Sequence, residues 1–207
     1  MSEMKRLSDR NRAIQEMLTS GEGLKTFYRF VANNPHIALH DACQIVIERP
    51  SASICFSFEE WNAQGRRVTK GRKGIPYYDN DGSKHFVFDV SDTHGDNRYR
   101  RSINPVKKIL DGLDLVNGTE IAGSNRGDYR IMLSGVVNYL GQNEFFTEDE
   151  DRNRLIAEGV TYLLYSTTGF PKDRGITLKG YPYGLSENAD LFREILKTTE
   201  VLQQDIN

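Results

Sequence analysis

Residues 57–92 read SFEEWNAQGRRVTKGRKGIPYYDNDGSKHFVFDVSD, and the fold class turns on this stretch. Ser57, followed three residues later by Glu60, matches a capping box, in which each side chain satisfies the other residue's backbone N–H. It opens a short helix that carries Trp61, the only tryptophan. Gly65 closes that helix. Asn80-Asp81-Gly82 is a strong hairpin-turn signal. After it, Phe86, Phe88 and Val90 alternate with Val87 and Asp89, the period of a strand. Before it, Val68, Ile75 and Tyr77 fit one strand set, interrupted by Lys70-Gly71-Arg72-Lys73-Gly74. Residues 66–92 are therefore expected to form a β-hairpin or small meander.

Helices flank this unit on both sides. Ser8 can cap a first helix running to about Thr19, with Ala13, Ile14, Met17 and Leu18 on one side. A second, about Glu22 to Ala32, presents Leu24, Phe27, Tyr28 and Val31 and stops at Asn33-Asn34-Pro35. A third, about Leu39 to Glu48, presents Ala42, Ile45 and Val46 before Arg49-Pro50. Ser53 to Phe56 reads as a strand. Past the hairpin, Ser91 to Asn104 is linker-like, and Asn104-Pro105 reads as a helix cap with Pro at the first helical position. Further helices are expected at about Pro105 to Leu110, Asp128 to Leu140, Glu148 to Thr167 and Ser186 to Gln204. Thr147 and Glu150 form a second capping box, and Gly169 and Pro171 end that helix. Phe192, Ile195, Leu196 and Leu202 give the last helix its apolar stripe. The pattern is α+β: a helical N-terminal segment with a small antiparallel hairpin or meander (1–93), then a mainly helical half (94–207).

Composition narrows the function classes. With 207 residues the chain is long enough to bury a core. Ten Tyr and ten Phe argue against intrinsic disorder. No apolar run approaches the ~20 residues of a membrane span, so no membrane partner is expected. The charged segment from Met1 to Leu18 lacks the apolar stretch of a signal peptide. Cys43 and Cys55 are too few for a disulfide framework or a cysteine-rich zinc site, and buried thiols are their default role. A soluble, cytoplasmic protein is the expectation.

Net charge is −2, from 27 basic and 29 acidic residues, but the signs are sorted along the chain. Between Gly65 and Gly74 stand Arg66, Arg67, Lys70, Arg72 and Lys73 with no acid. Between Arg98 and Lys108 stand Arg98, Arg100, Arg101, Lys107 and Lys108, again with none. The acids are densest at Glu148 to Asp151. Global balance thus hides a candidate basic face. A Gly-containing basic hairpin tip can place cations and bare backbone N–H groups against phosphates. Trp61, Tyr77 and Tyr78 are near enough in sequence to stack on unpaired bases. The competing reading of the tip is a charged edge hairpin that resists aggregation. For Trp61 the competing reading, a core side chain packed on Phe56 and Phe58, is preferred.

Other constellations are weaker. His36 and His40 are spaced for one helical face, but no third ligand and no intervening general base accompany them, so no metal is expected there. His85 and His94 are isolated. Asp79, Asp81, Asp89 and Asp92 cluster around the hairpin, and Asp79, Asp89 and Asp92 are the weak catalytic candidates of a Mg²⁺-dependent nuclease. Turns and caps also use Asp. No phosphate-binding GxxxxGK[ST] loop occurs. Glu148, Asp149, Glu150 and Asp151 start a helix, where the dipole favours acids.

Several of these runs carry a family resemblance. Arg49-Pro50-Ser51-Ala52, Ser57 to Asn62, Gly65 to Ile75 and Val87-Phe88-Asp89-Val90-Ser91-Asp92-Thr93 together resemble the ArdC-like N-terminal domain, over roughly residues 7–93. That domain occurs in antirestriction proteins and in large proteins of conjugative elements, where it is described as a single-stranded DNA-binding module. In that family a metallopeptidase-like domain follows, with an HExxH helix and a later acidic ligand. Ala157 to Leu164, with Glu158, looks like the later helix. At the HExxH position the chain has Ser134-Gly135-Val136-Val137-Asn138, without His or Glu. The resemblance therefore implies a metal-free, zincin-like second half without peptidase activity. Some type II-A anti-CRISPR proteins also look like this domain. The implied function is a nucleic-acid-binding counter-defence protein of a mobile element, an anti-CRISPR inhibitor of a type II RNA-guided nuclease. Its partners would be the effector nuclease, its guide RNA or another single strand, in a bacterial cytoplasm. Alternatives are an antirestriction single-stranded DNA-binding protein, a Mg²⁺-dependent nuclease that shortens guide RNA, and a protein-only inhibitor whose acidic helix start mimics nucleic acid.

Overall fold

The computed structural model describes residues 3–79, 81–95, 125–167 and 176–205. It is α+β, with a small antiparallel sheet and a mostly helical second half. Helices α1 (Glu3–Thr19), α2 (Gly21–Asn33) and α3 (Leu39–Glu48) lead into strand β1 (Cys55–Phe56) and helix α4 (Phe58–Ala63). Strands β2 (Arg66–Val68), β3 (Ile75–Tyr78), β4 (Lys84–Asp89) and β5 (Thr93–Gly95) follow, with one 3₁₀ turn (Val90–Asp92) before β5. Helices α5 (Asn125–Gln142), α6 (Glu150–Thr167) and α7 (Leu185–Asp205) complete the described chain. The expected helix at 105–110, the cap at Asn104-Pro105 and the helix stop at Gly169 and Pro171 lie outside the described residues.

Local signals explain most boundaries. The capping box at α4 forms in both directions: Glu60 N–H donates to Ser57 Oγ at 3.2 Å, and Ser57 N–H donates to Glu60 Oε2 at 2.7 Å. Ser20 caps α2, accepting from Gly23 N–H at 3.3 Å. Two expected caps fall elsewhere. Ser8 lies inside α1, which already begins at Glu3. At α6 the first-turn N–H of Arg152 goes to Asp149 Oδ1 at 2.9 Å. Thr147 instead engages Asn153, through both its N–H and its hydroxyl.

The sheet corrects the meander. β3 and β4 form the hairpin around residues 79–83, in register Ile75↔Val87 and Tyr77↔His85, and β4 continues to β1 through Phe56↔Phe88. β2 does not join them. It pairs with β5, from the expected linker, in register Arg67↔His94 and Val68↔Thr93. The basic segment is therefore a bridge between two small sheets.

One hydrophobic core runs through both halves of the chain. The α2 aromatics sit at its centre: Phe27 lies 4.7 Å from Phe192 of α7, and Tyr28 lies 5.9 Å from Tyr162 of α6. Buried tyrosines need partners for their hydroxyls, and Tyr28 and Tyr181 hydrogen-bond to each other. Gly159 makes the close packing of α6 possible. A Cβ there would stand 2.5 Å from the Tyr28 hydroxyl and 2.8 Å from Ile195 Cδ1.

Candidate nucleic-acid interface

The tip is built on a buried carboxylate. Asp92, at the end of the 3₁₀ turn, is 3% exposed. Its backbone oxygen accepts from Thr69 N–H at 2.9 Å, which fixes the point where β2 becomes the basic loop. Its side chain accepts from Arg49 Nη1, while Arg72 Nη1 stands 3.9 Å away. Arg49 also donates from Nη2 to Lys73 O at 3.2 Å, tying down the far end of the loop. Within it, Arg72 N–H donates to Thr69 O at 3.1 Å. Arg49 was not singled out in the sequence, because it reads as the end of α3 before Pro50.

This arrangement sorts the five cations of the run. Arg67, Lys70, Arg72 and Lys73 are exposed. Arg66 is 8% exposed: Nε donates to Thr93 Oγ1 at 2.8 Å, Nη2 donates to Thr93 O at 3.2 Å, and the guanidinium lies 5.7 Å from the Trp61 ring. It therefore joins β2 to β5 and does not belong to the tip. Arg72 stays available, since its side chain is 57% exposed and an ion pair at 3.9 Å on a surface is weak. Three exposed cations thus lie in one short loop, with Arg67 exposed on the strand that leads into it. Arg98, Arg100 and Arg101 lie outside the described residues.

The aromatic candidates move more. Trp61 is fully buried, donates from Nε1 to Phe88 O at 2.8 Å and meets the Phe56 ring edge-on at 4.9 Å. It is a core side chain, with no face open to a base. Tyr77 is half-buried and stacks on His85 at 5.4 Å. Tyr78 is half-buried beneath Arg10, whose guanidinium carbon lies 5.0 Å from the ring centroid. Its backbone exchanges two hydrogen bonds with the Gln44 side chain, at 2.7 and 3.1 Å, so α3 covers the outer edge of β3.

The three aspartates do not converge on a catalytic centre. Asp79 accepts from Ser83 N–H at 2.9 Å within the hairpin turn and pairs with His85 Nε2 at 2.7 Å. Asp89 is buried, and Oδ2 accepts from Ser53 N–H at 2.6 Å, Ser53 Oγ at 3.1 Å and Ile54 N–H at 3.2 Å. Its Oδ1 accepts from Ser91 N–H at 2.9 Å. Asp89 and Asp92 are thus structural anchors of the VFDVSDT run; Asp89 caps the 3₁₀ turn, the kind of cap role the sequence left open for it.

Asp89 carries a pH dependence. Burial alone would raise its pKa, but the hydrogen bonds from Ser91 and Ser53 outweigh it, and the carboxyl lies below its ordinary value. A depressed folded-state pKa contributes stability that is present above the unfolded value of about 3.9 and disappears as pH falls through the folded value. Asp89→Asn is expected to cost about 1.5–3 kcal/mol at pH 7, the worth of hydrogen bonds to a charged group. In urea melts the gap to wild type should close as pH falls below the ordinary carboxylate range. A gap of equal size at both pH values would assign the loss to shape and not to charge.

His36 and His40 do not share a site. His36 Nε2 contacts Cys55 O at 2.9 Å while its ring stacks on Phe56, and His40 faces Asp41 and Gln44. Among the described residues no three His, Cys, Asp or Glu side chains gather where a metal ion fits. Burial pushes the thiols of Cys43 and Cys55 up to about 12, so neither is a thiolate near neutral pH. No described helix is long and apolar enough to cross a membrane.

The chain matches no protein-family model, no curated protein and no solved structure.

Proposed function

We propose that the protein binds single-stranded nucleic acid through Arg67, Lys70, Arg72 and Lys73, as a counter-defence protein acting on a type II RNA-guided nuclease or its guide RNA. The observation that carries the binding is the anchored tip: exposed Lys70, Arg72 and Lys73 on a loop tied at Thr69, Arg72 and Lys73, with exposed Arg67 on the adjoining strand β2. A loop so held loses little conformational freedom when phosphates dock, which favours affinity. The counter-defence setting rests on the resemblance of roughly residues 7–93 to the ArdC-like domain. The nuclease alternative is less favoured, because Asp89 and Asp92 are committed to backbone and arginine partners.

Salt titration tests the binding. Four phosphates neutralised on a single strand give a log–log slope of about −3. Fluorescence anisotropy with a labelled strand should return that slope. An affinity unchanged between low and high salt defeats the reading. Labelled guide RNA, with and without the effector nuclease, tests the setting: a shift without shortening supports it, and Mg²⁺-dependent shortening would restore the nuclease alternative.

A further inference from the structure

With Trp61 sealed in the core, the aromatic surface at the tip has to be another residue. Among the described residues three large apolar side chains are exposed: Phe58 at 49%, Phe86 at 47% and Val137 at 39%. Phe86 is the one against the basic loop. It lies on β4 opposite Pro76, and alternate strand residues share a face, so Phe88 stands on the same side, opposite Phe56 of β1. His36 stacks on Phe56 at 4.3 Å. An aromatic row thus runs His36, Phe56, Phe88, Phe86 across the sheet.

Gly74 joins that row to the cations. It follows Lys73 directly, and a Cβ built on it would lie 3.0 Å from Phe86 Cβ and 3.2 Å from Phe88 Cζ. A side chain there would press on both rings, so glycine lets the loop leave the tip close against them. Lys84 Nζ lies over the Phe86 ring, 4.9 Å from its centroid, in a cation–π contact. The exposed ring thus meets the loop at Gly74, the residue after Lys73, and lies beneath the exposed Lys84 side chain of its own strand.

We infer that Phe86 is the stacking platform for an unpaired base, which displaces the exposed Lys84 ammonium from the ring onto a flanking phosphate, with Lys73 and Arg72 on the neighbouring phosphates. The inference rests on the nucleic-acid reading above and names the residue that would meet a base. Charge complementarity selects the occupant. An apolar protein partner would have to strip water from the bordering cations without pairing them. A single strand alternates an apolar π-face with a phosphate, which is the alternation this edge offers. Every base has such a face, so the platform confers tolerance of sequence and selects against duplex, whose bases are already stacked.

The test compares oligothymidylate with an abasic strand of equal length at one salt concentration. Wild-type protein should bind oligothymidylate tighter by roughly tenfold to a hundredfold, the range for one stacked base. Phe86→Ala should lose about that factor on oligothymidylate and almost nothing on the abasic strand, with the salt slope unchanged. Phe86→Leu keeps apolar bulk without a π-face, so it should resemble Phe86→Ala in binding and wild type in melting. Phe58→Ala, an equally exposed aromatic on α4, should bind as wild type. If Phe86→Ala binds as tightly as wild type while removal of the tip cations abolishes binding, the platform is overturned and the tip stands. An equal loss from Phe58→Ala overturns it as well. Wild-type protein that binds neither strand overturns both readings together.

Discussion

Replacing Arg67, Lys70, Arg72 and Lys73 together with Ala is expected to weaken single-strand binding by about a hundredfold or more and to leave the protein folded. The binding term follows from the salt dependence, since a protein left with only Lys84 at the contacts releases few counterions and its slope should fall to about −1 or shallower. The folding term follows from exposure, because surface changes shift stability by about 0.5 kcal/mol each at most. Arg72 contributes only a weak surface pair with Asp92, and Arg49 still holds that carboxylate. Arg66 is left in place on purpose. Its guanidinium holds Thr93 and covers Trp61, so removing it would mix loss of fold with loss of binding. Anisotropy, a thermal melt and a nuclease-cleavage assay on the same preparation separate these effects. A folded variant that still blocks the nuclease at wild-type potency moves the working surface elsewhere. The acidic start of α6, from Glu148 to Asp151, would then be the next segment to change.

How far the sequence disclosed this arrangement depends on how local each signal is. The α4 capping box was legible because Ser57 and Glu60 lie one turn apart and recognise each other's backbone. The ends of α3 were legible because Pro50 forbids continuation. The hairpin turn announced itself in Asp81-Gly82, and Gly82 adopts a φ of 86°. The pairing of β2 with β5 was not legible. Each strand has three residues, too few to show alternation, and Arg67 stands 27 positions before its partner His94. The second half hid its partner for a similar reason: α6 is apolar on most sides, and nothing along its own sequence says that α2 lies against it.

The same limit applies to charge. A run of five cations reads as one surface, yet burial of a single guanidinium splits it into one internal tie and four projecting groups. The cap role of Asp89 was open to a local reading, but most partners of Asp89 and Asp92 were not, because they come from Arg49, Ser53 and Ile54, far back in the chain. Phe86 showed strand alternation but not exposure. That depends on which face of β4 the helices cover.

Trp61→Ala should produce the largest loss of stability of any single change at the interface, and the loss should not be one of binding. Truncating a fully buried aromatic costs about 3–5 kcal/mol through lost transfer energy and a residual cavity. Here three further contacts go with it. The Phe88 carbonyl loses its indole donor, the Phe56 ring loses its edge partner, and the Arg66 guanidinium loses the ring beneath it. For a chain of this length each kcal/mol lowers the melting temperature by roughly 2–4 °C, so a drop of about 10 °C or more is expected. Trp61→Phe should recover part of it, since it refills most of the cavity but cannot donate to Phe88. Measured well below its midpoint, Trp61→Ala should still bind oligothymidylate within about threefold of wild type, because the stacking residue is Phe86 and the tip is held by Asp92 and Arg49. A normal melt combined with a tenfold loss of affinity would reverse the assignment, making the indole a base platform that opens when the strand arrives.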